Sequence, residues 1–185
     1  MRGILVALRD ALDRGLHPWR RNRARQRIHA TSPQSFLFVC LGNICRSPYA
    51  EHVLRARGGP SLGVESAGFI KPGRRPPEEA LAVAGARGIE HGGHRSRVLD
   101  PALLEAPDAV FVFDRYNARD VRRTPGVRLD RIYWLGDFDP EWAGKRAIAD
   151  PWGKPREEFE RAFARIERCV EEVVRCLEPG PDMPD

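Results

Sequence analysis

Apolar residues fall in short blocks through the middle of the chain, and stretches of helical spacing separate them. Phe36 to Cys40 and Ala109 to Phe113 are unbroken apolar runs, 131–135 is largely apolar, and a shorter strand-like stretch, not itself apolar throughout, covers 64–66. Blocks this short suit strands covered on both faces. Helical spacing marks 48–57, 76–87, about 115–123 and 156–177. In the last of these, Phe159, Phe163, Ile166, Val170, Val173 and Leu177 form one stripe. Strands alternating with helices predict βαβ units, and hence an α/β fold: a single three-layer domain with a parallel sheet and right-handed crossovers. Ligands then bind at the carboxyl ends of the strands.

Residues 1–34 stand outside this alternation. Ile4, Leu5, Leu8, Ala11, Leu12 and Leu16 keep helical spacing, but Arg9, Asp10, Asp13 and Arg14 interrupt them. The stretch is therefore neither a signal-peptide core nor a membrane span. Residues 1–30 hold eight arginines against two aspartates, a net +6, which leaves −1 of the chain's +5 for everything else. Basicity is a property of this segment alone, and no specific nucleic acid partner is expected. A basic amphipathic helix could lie on an anionic membrane surface or dock a partner. A poorly ordered tail, or a start codon assigned too early, would read the same way.

The densest chemistry lies at Cys40-Leu41-Gly42-Asn43-Ile44-Cys45-Arg46-Ser47-Pro48. A strand leads in, and Pro48 suits the first turn of a helix with Ser47 as its N-cap. Strand, tight loop and helix N-terminus together gather backbone N–H groups and a helix dipole around one concavity, which suits an anion. Cys40 sits where those donors converge, a setting that favours a nucleophilic thiolate. Arg46 offers a planar fork for two phosphate oxygens. The Ser47 hydroxyl can donate to the sulfur, and Asn43 tolerates a positive φ. A buried cysteine closing a core strand is the plainer account of Cys40; the residues around it argue for phosphate chemistry.

A proton donor is needed for a poor leaving group. Three Asp-Pro pairs compete: Asp100 as the cap of a short helix, Asp139 as an Asx-type turn residue, and Asp150 in the loop before the final helix. Trp152 follows Asp150 and can stack on an aromatic ring. Of four cysteines, Cys45 is close enough in the loop to reach Cys40 in a reversible disulfide. Cys169 and Cys176 are seven residues apart on one helix, about 10.5 Å of rise, beyond the roughly 7 Å a disulfide spans. They are expected to be packing residues. No zinc spacing occurs, and the thiol usage suits a reducing cytoplasm.

The chain resembles the low molecular weight protein tyrosine phosphatases, bacterial branch. The loop carries the resemblance first. Val64-Glu65-Ser66-Ala67-Gly68, Ala109 to Arg115 with Asn117, Leu135 to Pro140, and Asp150-Pro151-Trp152 follow in family order from about Ser35 to Leu177. The resemblance implies four parallel strands flanked by helices, with the phosphate-binding loop between the first strand and its helix. It implies a cysteinyl-phosphate intermediate and no metal or other cofactor. It singles out Asp150 as the acid and the loop from Leu41 to Ser47 as the phosphate cradle. Ser66 and His94 take the places that brace the loop Asn and Ser. Trp152 stands where relatives carry tyrosine, as a wall of the substrate site. The domain plan is then an extension over 1–34, a phosphatase catalytic domain over 35–178 and a tail over 179–185. The implied substrate is a phosphotyrosine protein, such as a tyrosine kinase of exopolysaccharide export, met by a monomer in the cytoplasm or at the inner face of the membrane. Two alternatives remain: a thioredoxin-coupled arsenate reductase of the same fold, which would need a further redox pair, and a phosphotyrosine-binding adaptor.

Overall fold

The computed structural model describes residues 2–178, with the side chains of 2–10 left undescribed; the expected tail at 179–185 lies outside the described residues. Four strands form one parallel sheet: β1 (Ser35–Val39), β2 (Gly63–Ala67), β3 (Ala109–Val112) and β4 (Ile132–Trp134), in the spatial order β2-β1-β3-β4. β1 is central. Phe38 pairs with Ser66 on one side and Phe111 on the other. The helices are α1 (Arg2–Thr31), α2 (Arg46–Gly58), α3 (Glu78–Ala86), the short α4 (Ala102–Glu105), α5 (Arg115–Arg123) and α6 (Arg156–Leu177).

The two-residue period of a strand sends alternate side chains to opposite faces, and here both faces are buried. Phe36, Phe38 and Phe111 pack with Tyr49, Val53 and Leu54 of α2 and Phe163, Ile166, Val170 and Val173 of α6. Leu37, Val39, Val110 and Val112 meet Leu104 of α4 and Ala118 and Val121 of α5. That explains why the strands read as continuous apolar runs. Cys169 is fully buried and Cys176 nearly so on α6, and both thiols are free.

The helix after the loop starts earlier than expected. α2 begins at Arg46 behind Cys45, and no side chain caps it. Ser47 is therefore not an N-cap, because its hydroxyl is drawn to the cysteine sulfur. Asp100 does accept the Ala102 N–H, at 2.7 Å. Asp139 makes the expected turn bond, from the Glu141 N–H at 3.3 Å, but is also fully buried against Arg165 and Arg168.

The N-terminal segment is helical and docks on the body through a face spaced at 17, 24 and 28. Ile28 and Ala24 enter the main core. His17 Nε2 lies 3.1 Å from the Asp139 carbonyl oxygen, and its ring is 5.1 Å from that of Trp142. Arg21 and Arg25 both meet the buried Glu172 of α6, at 2.6 and 2.8 Å.

Candidate active site

Residues 40–46 close a loop at the carboxyl end of β1. Its carbonyls are held from outside. Leu41 O accepts from the Phe69 N–H at 2.8 Å, Gly42 O from Arg74 Nη2 at 2.6 Å, and Asn43 O from His94 Nε2 at 2.8 Å. With the carbonyls turned out, the amides turn in. Asn43 N–H points at Cys40 Sγ, 3.2 Å away. Among the described residues, no backbone or side-chain acceptor takes the N–H groups of Leu41, Gly42, Ile44 or Cys45. Donors left in this way make an anion cradle.

Asn43 holds the shape. It is fully buried at φ 50°. Its Nδ2 donates to Ser47 Oγ at 3.0 Å and Ser66 Oγ at 2.8 Å, and its Oδ1 accepts from the Arg97 N–H at 2.9 Å. Ser66 in turn donates to Glu51 at 2.5 Å. The Ser47 hydroxyl lies 3.1 Å from Cys40 Sγ and 3.4 Å from the Ala67 carbonyl oxygen, the two acceptors within reach of its hydrogen. Burial lowers the His94 pKa, although its bond to the Asn43 carbonyl works against that. Because the partner is a carbonyl oxygen, Nε2 is the donor in that bond. Gly68 lets the strand end come this close, since a Cβ there would meet Asn43 N at 2.8 Å and Leu41 O at 2.9 Å.

Arg46 is buried, with its guanidinium above the loop. Nη1 donates to Asp114 at 2.7 Å and to the Ile148 carbonyl at 3.0 Å; Nη2 donates to Asp150 at 2.6 Å. Burial opposes its charge, but Cys40, Asp150 and Asp114 outweigh that and raise its pKa. Its Nε is buried and has no partner among the described residues, a donor suited to an anion in the loop. Asp114 also caps α5, accepting the Tyr116 and Asn117 N–H groups. Asp150 accepts the Trp152 N–H at 3.2 Å, which sets the turn. Trp152 itself is 63% exposed.

Cys40, Arg46 and Asp150, singled out along the chain, thus meet at one strand end, with Asn43, Ser47, Ser66 and His94 behind them. Leu41 is exposed at the mouth, and Ile44 and Cys45 are buried in the loop wall. Burial pushes the Cys45 thiol well up. Trp152 is not among the residues lining the adjoining cleft, which Leu41, Arg46 and Asp150 do line. Glu51, Arg74, Arg97 and Asp114 escaped the sequence reading. Glu51 had a signal: it lies one helical turn beyond Ser47, on the same side of α2. Arg74 and Arg97 lie in loops with no periodic cue.

Residues 35–179 match the family model described as low molecular weight phosphotyrosine protein phosphatase. The chain is 32% identical over 145 residues to the low molecular weight protein-tyrosine-phosphatase Wzb of Escherichia coli K12, spanning 77% of this chain and 95% of Wzb. The crystal structure of the tyrosine phosphatase AmsI of Erwinia amylovora superimposes with a TM-score of 0.72 at 29% identity, covering 79% of this chain and 94% of AmsI. The YwlE arginine phosphatase of Geobacillus stearothermophilus does so with 0.68 at 32% identity, over 77% and 92%.

Proposed function

Because the chain belongs to the low molecular weight phosphotyrosine protein phosphatase family, we propose that it hydrolyses phosphotyrosine on proteins through a cysteinyl-phosphate at Cys40. One observation carries this reading: Arg46 joins Asp150 at 2.6 Å beside a loop whose Asn43 N–H points at the Cys40 sulfur. In the first step the sulfur attacks phosphorus and the aryl ester bond breaks. Arg46 and the N–H groups from Leu41 to Ser47 hold the phosphoryl oxygens, where negative charge concentrates. A bound phosphate dianion competes for the guanidinium; the Asp150 carboxylate so released takes up a proton from solvent and delivers it to the leaving oxygen. Asp150 then takes a proton from the water that cleaves the thiophosphate, and Ser47 donates to the departing sulfur. Trp152 serves as the wall for the tyrosyl ring.

Within this scheme residues 35–178 are the catalytic unit, with 1–34 an extension of it. Cys45 is the guard of the nucleophile: peroxide oxidises the Cys40 thiolate to the sulfenic acid, which condenses with the Cys45 thiol and releases water. Arsenate reduction would require a relay pair on a mobile segment. Cys169 and Cys176 are instead both on α6, with thiols pushed up by burial.

Turnover of matched phosphotyrosine, phosphoserine and phosphoarginine peptides and of p-nitrophenyl phosphate tests the substrate class. The two aryl esters are expected to turn over and the phosphoserine peptide not. Faster hydrolysis of phosphoarginine would overturn the assignment, as would arsenate reduction coupled to thioredoxin by an enzyme inactive on aryl esters.

We also propose that α1 rests on an anionic membrane surface. Leu12, Leu16 and Trp19 are 65%, 43% and 58% exposed, and Arg23 sits 5.4 Å from the Trp19 ring. The spacing 12, 16, 19, 23 is one stripe, turned away from the docked face. Apolar side chains bordered by arginines suit the headgroup boundary. No described helix is long and apolar enough to cross a membrane. The full chain is expected to co-sediment with phosphatidylserine vesicles, and Leu16→Glu/Trp19→Glu to remain in the supernatant. Equal sedimentation of the two, or none by the full chain, would reject the contact.

A further inference from the structure

A cleft of about 810 Å³ runs from the phosphate loop to α1. Ligand pockets are on the order of 300–1,000 Å³, and this one lies in the upper part of that range. Its lining includes Arg46 and Asp150 beside the phosphate loop, Trp134 and Ile148, and Asp13 and Arg20 of α1. Those two residues precede position 35, where the family match begins. α1 therefore adds a wall that the matched region does not contain.

The wall is held in place. Ile28 is fully buried, Glu172 clamps Arg21 and Arg25, and His17 lies on the Asp139 turn. Arg27 also lies over the Tyr133 ring at 4.2 Å. Charge along the cleft is uneven. Arg20 is paired with Asp13 at 2.9 Å, Arg119 with Asp120 and Arg146 with Asp137. Lys145 and Arg115, which also line the cleft and are exposed, pair with no carboxylate among the described residues. The unbalanced charge is positive.

We propose that α1 completes a second substrate subsite, in which Arg20 and Lys145 read an acidic side chain of the phosphoprotein close to its phosphotyrosine. This rests on the phosphatase reading. Asp13 competes for Arg20 and so tempers the preference. The two α1 residues thus act with opposite sign, which a purely structural ion pair would not do.

Binding of phosphotyrosine peptides with a Glu, Gln or Lys flank to full-length Cys40→Ser, followed by fluorescence anisotropy, tests the subsite without turnover. The Glu peptide is expected to bind about fivefold tighter than the Gln peptide, the scale of two solvent-exposed charge contacts, with the gap closing in 1 M salt. In that background Arg20→Ala/Lys145→Ala abolishes the gap and Asp13→Asn widens it. In the active enzyme the same substitutions leave p-nitrophenyl phosphate turnover within about twofold, because that substrate has no flanking side chain to reach α1. A flank-independent affinity would overturn the proposal, as would Asp13→Asn and Arg20→Ala shifting the preference in one direction. Flank-dependent binding by an enzyme that hydrolyses no aryl ester would support the subsite and reject the phosphatase reading alone.

Discussion

Cys40→Ser is expected to lower kcat on every phosphate ester by on the order of 10⁴–10⁶-fold, the cost of deleting a nucleophile or its immediate partner in other covalent enzymes. The substitution keeps a small polar atom at the centre of the cradle. The loop's shape depends on bonds from Asn43 to Ser66, His94 and Arg97, which do not involve the sulfur. Phosphate binding should therefore survive while turnover does not. A steady-state assay paired with phosphate titration separates the two. Residual activity within about tenfold of wild type would remove Cys40 from the reaction, since an alcohol lacks the acidity of a thiol that makes the thiolate available near neutral pH. Mass spectrometry of acid-quenched wild type during turnover should find one added phosphoryl group on Cys40 and none in the variant.

The second large effect belongs to Asp150→Asn, and it depends on the leaving group. An amide is nearly the size of the carboxyl and can still accept the Trp152 N–H that sets the turn. It cannot give up a proton. A general acid is worth roughly 10²–10⁴-fold, and all of that should be lost on phenyl phosphate or a phosphotyrosine peptide, whose leaving oxygen is strongly basic. p-Nitrophenolate leaves without a proton, so formation of the cysteinyl-phosphate from that substrate should be much less affected. Equal losses on both substrates would mean that Asp150 acts through Arg46, its 2.6 Å partner, and not as an acid. Asp114→Asn supplies the control: it weakens the other carboxylate on Arg46 and should show no leaving-group dependence.

The parts of this protein that were legible early are those whose physics is local. A strand buried on both faces must be apolar at every position, and β1 and β3 are. The seven-residue span from Cys40 to Arg46 is one contiguous loop, so its residue types and spacing are already its geometry. Asn43 announces its positive φ because few other side chains tolerate it. The stripe of α6 is readable because side chains three and four apart share a face.

Where contacts join distant segments, the chain carried no such signal. Three Asp-Pro pairs competed for one role; only folding brings Asp150 to Arg46 across 104 residues and places Asp114 beside them. Asp139 shows the limit well, since a turn residue by local rules is also the buried counter-ion of Arg165 and Arg168. Nor did Ser47 cap its helix, because Cys40 and Asn43 claim its hydroxyl and neither lies in the helix. The eight arginines of 1–30 suggested a surface charge and nothing about a docking site. Glu172 alone takes up two of them, and Arg20 and Asp13 reach the cleft only because Ile28 and Ala24 sink into the core. Backbone periodicity and loop spacing are set by neighbours a few bonds apart, so residue order suffices for them. Ion pairs and cleft walls are set by packing between segments, and residue order determines those only through the whole fold.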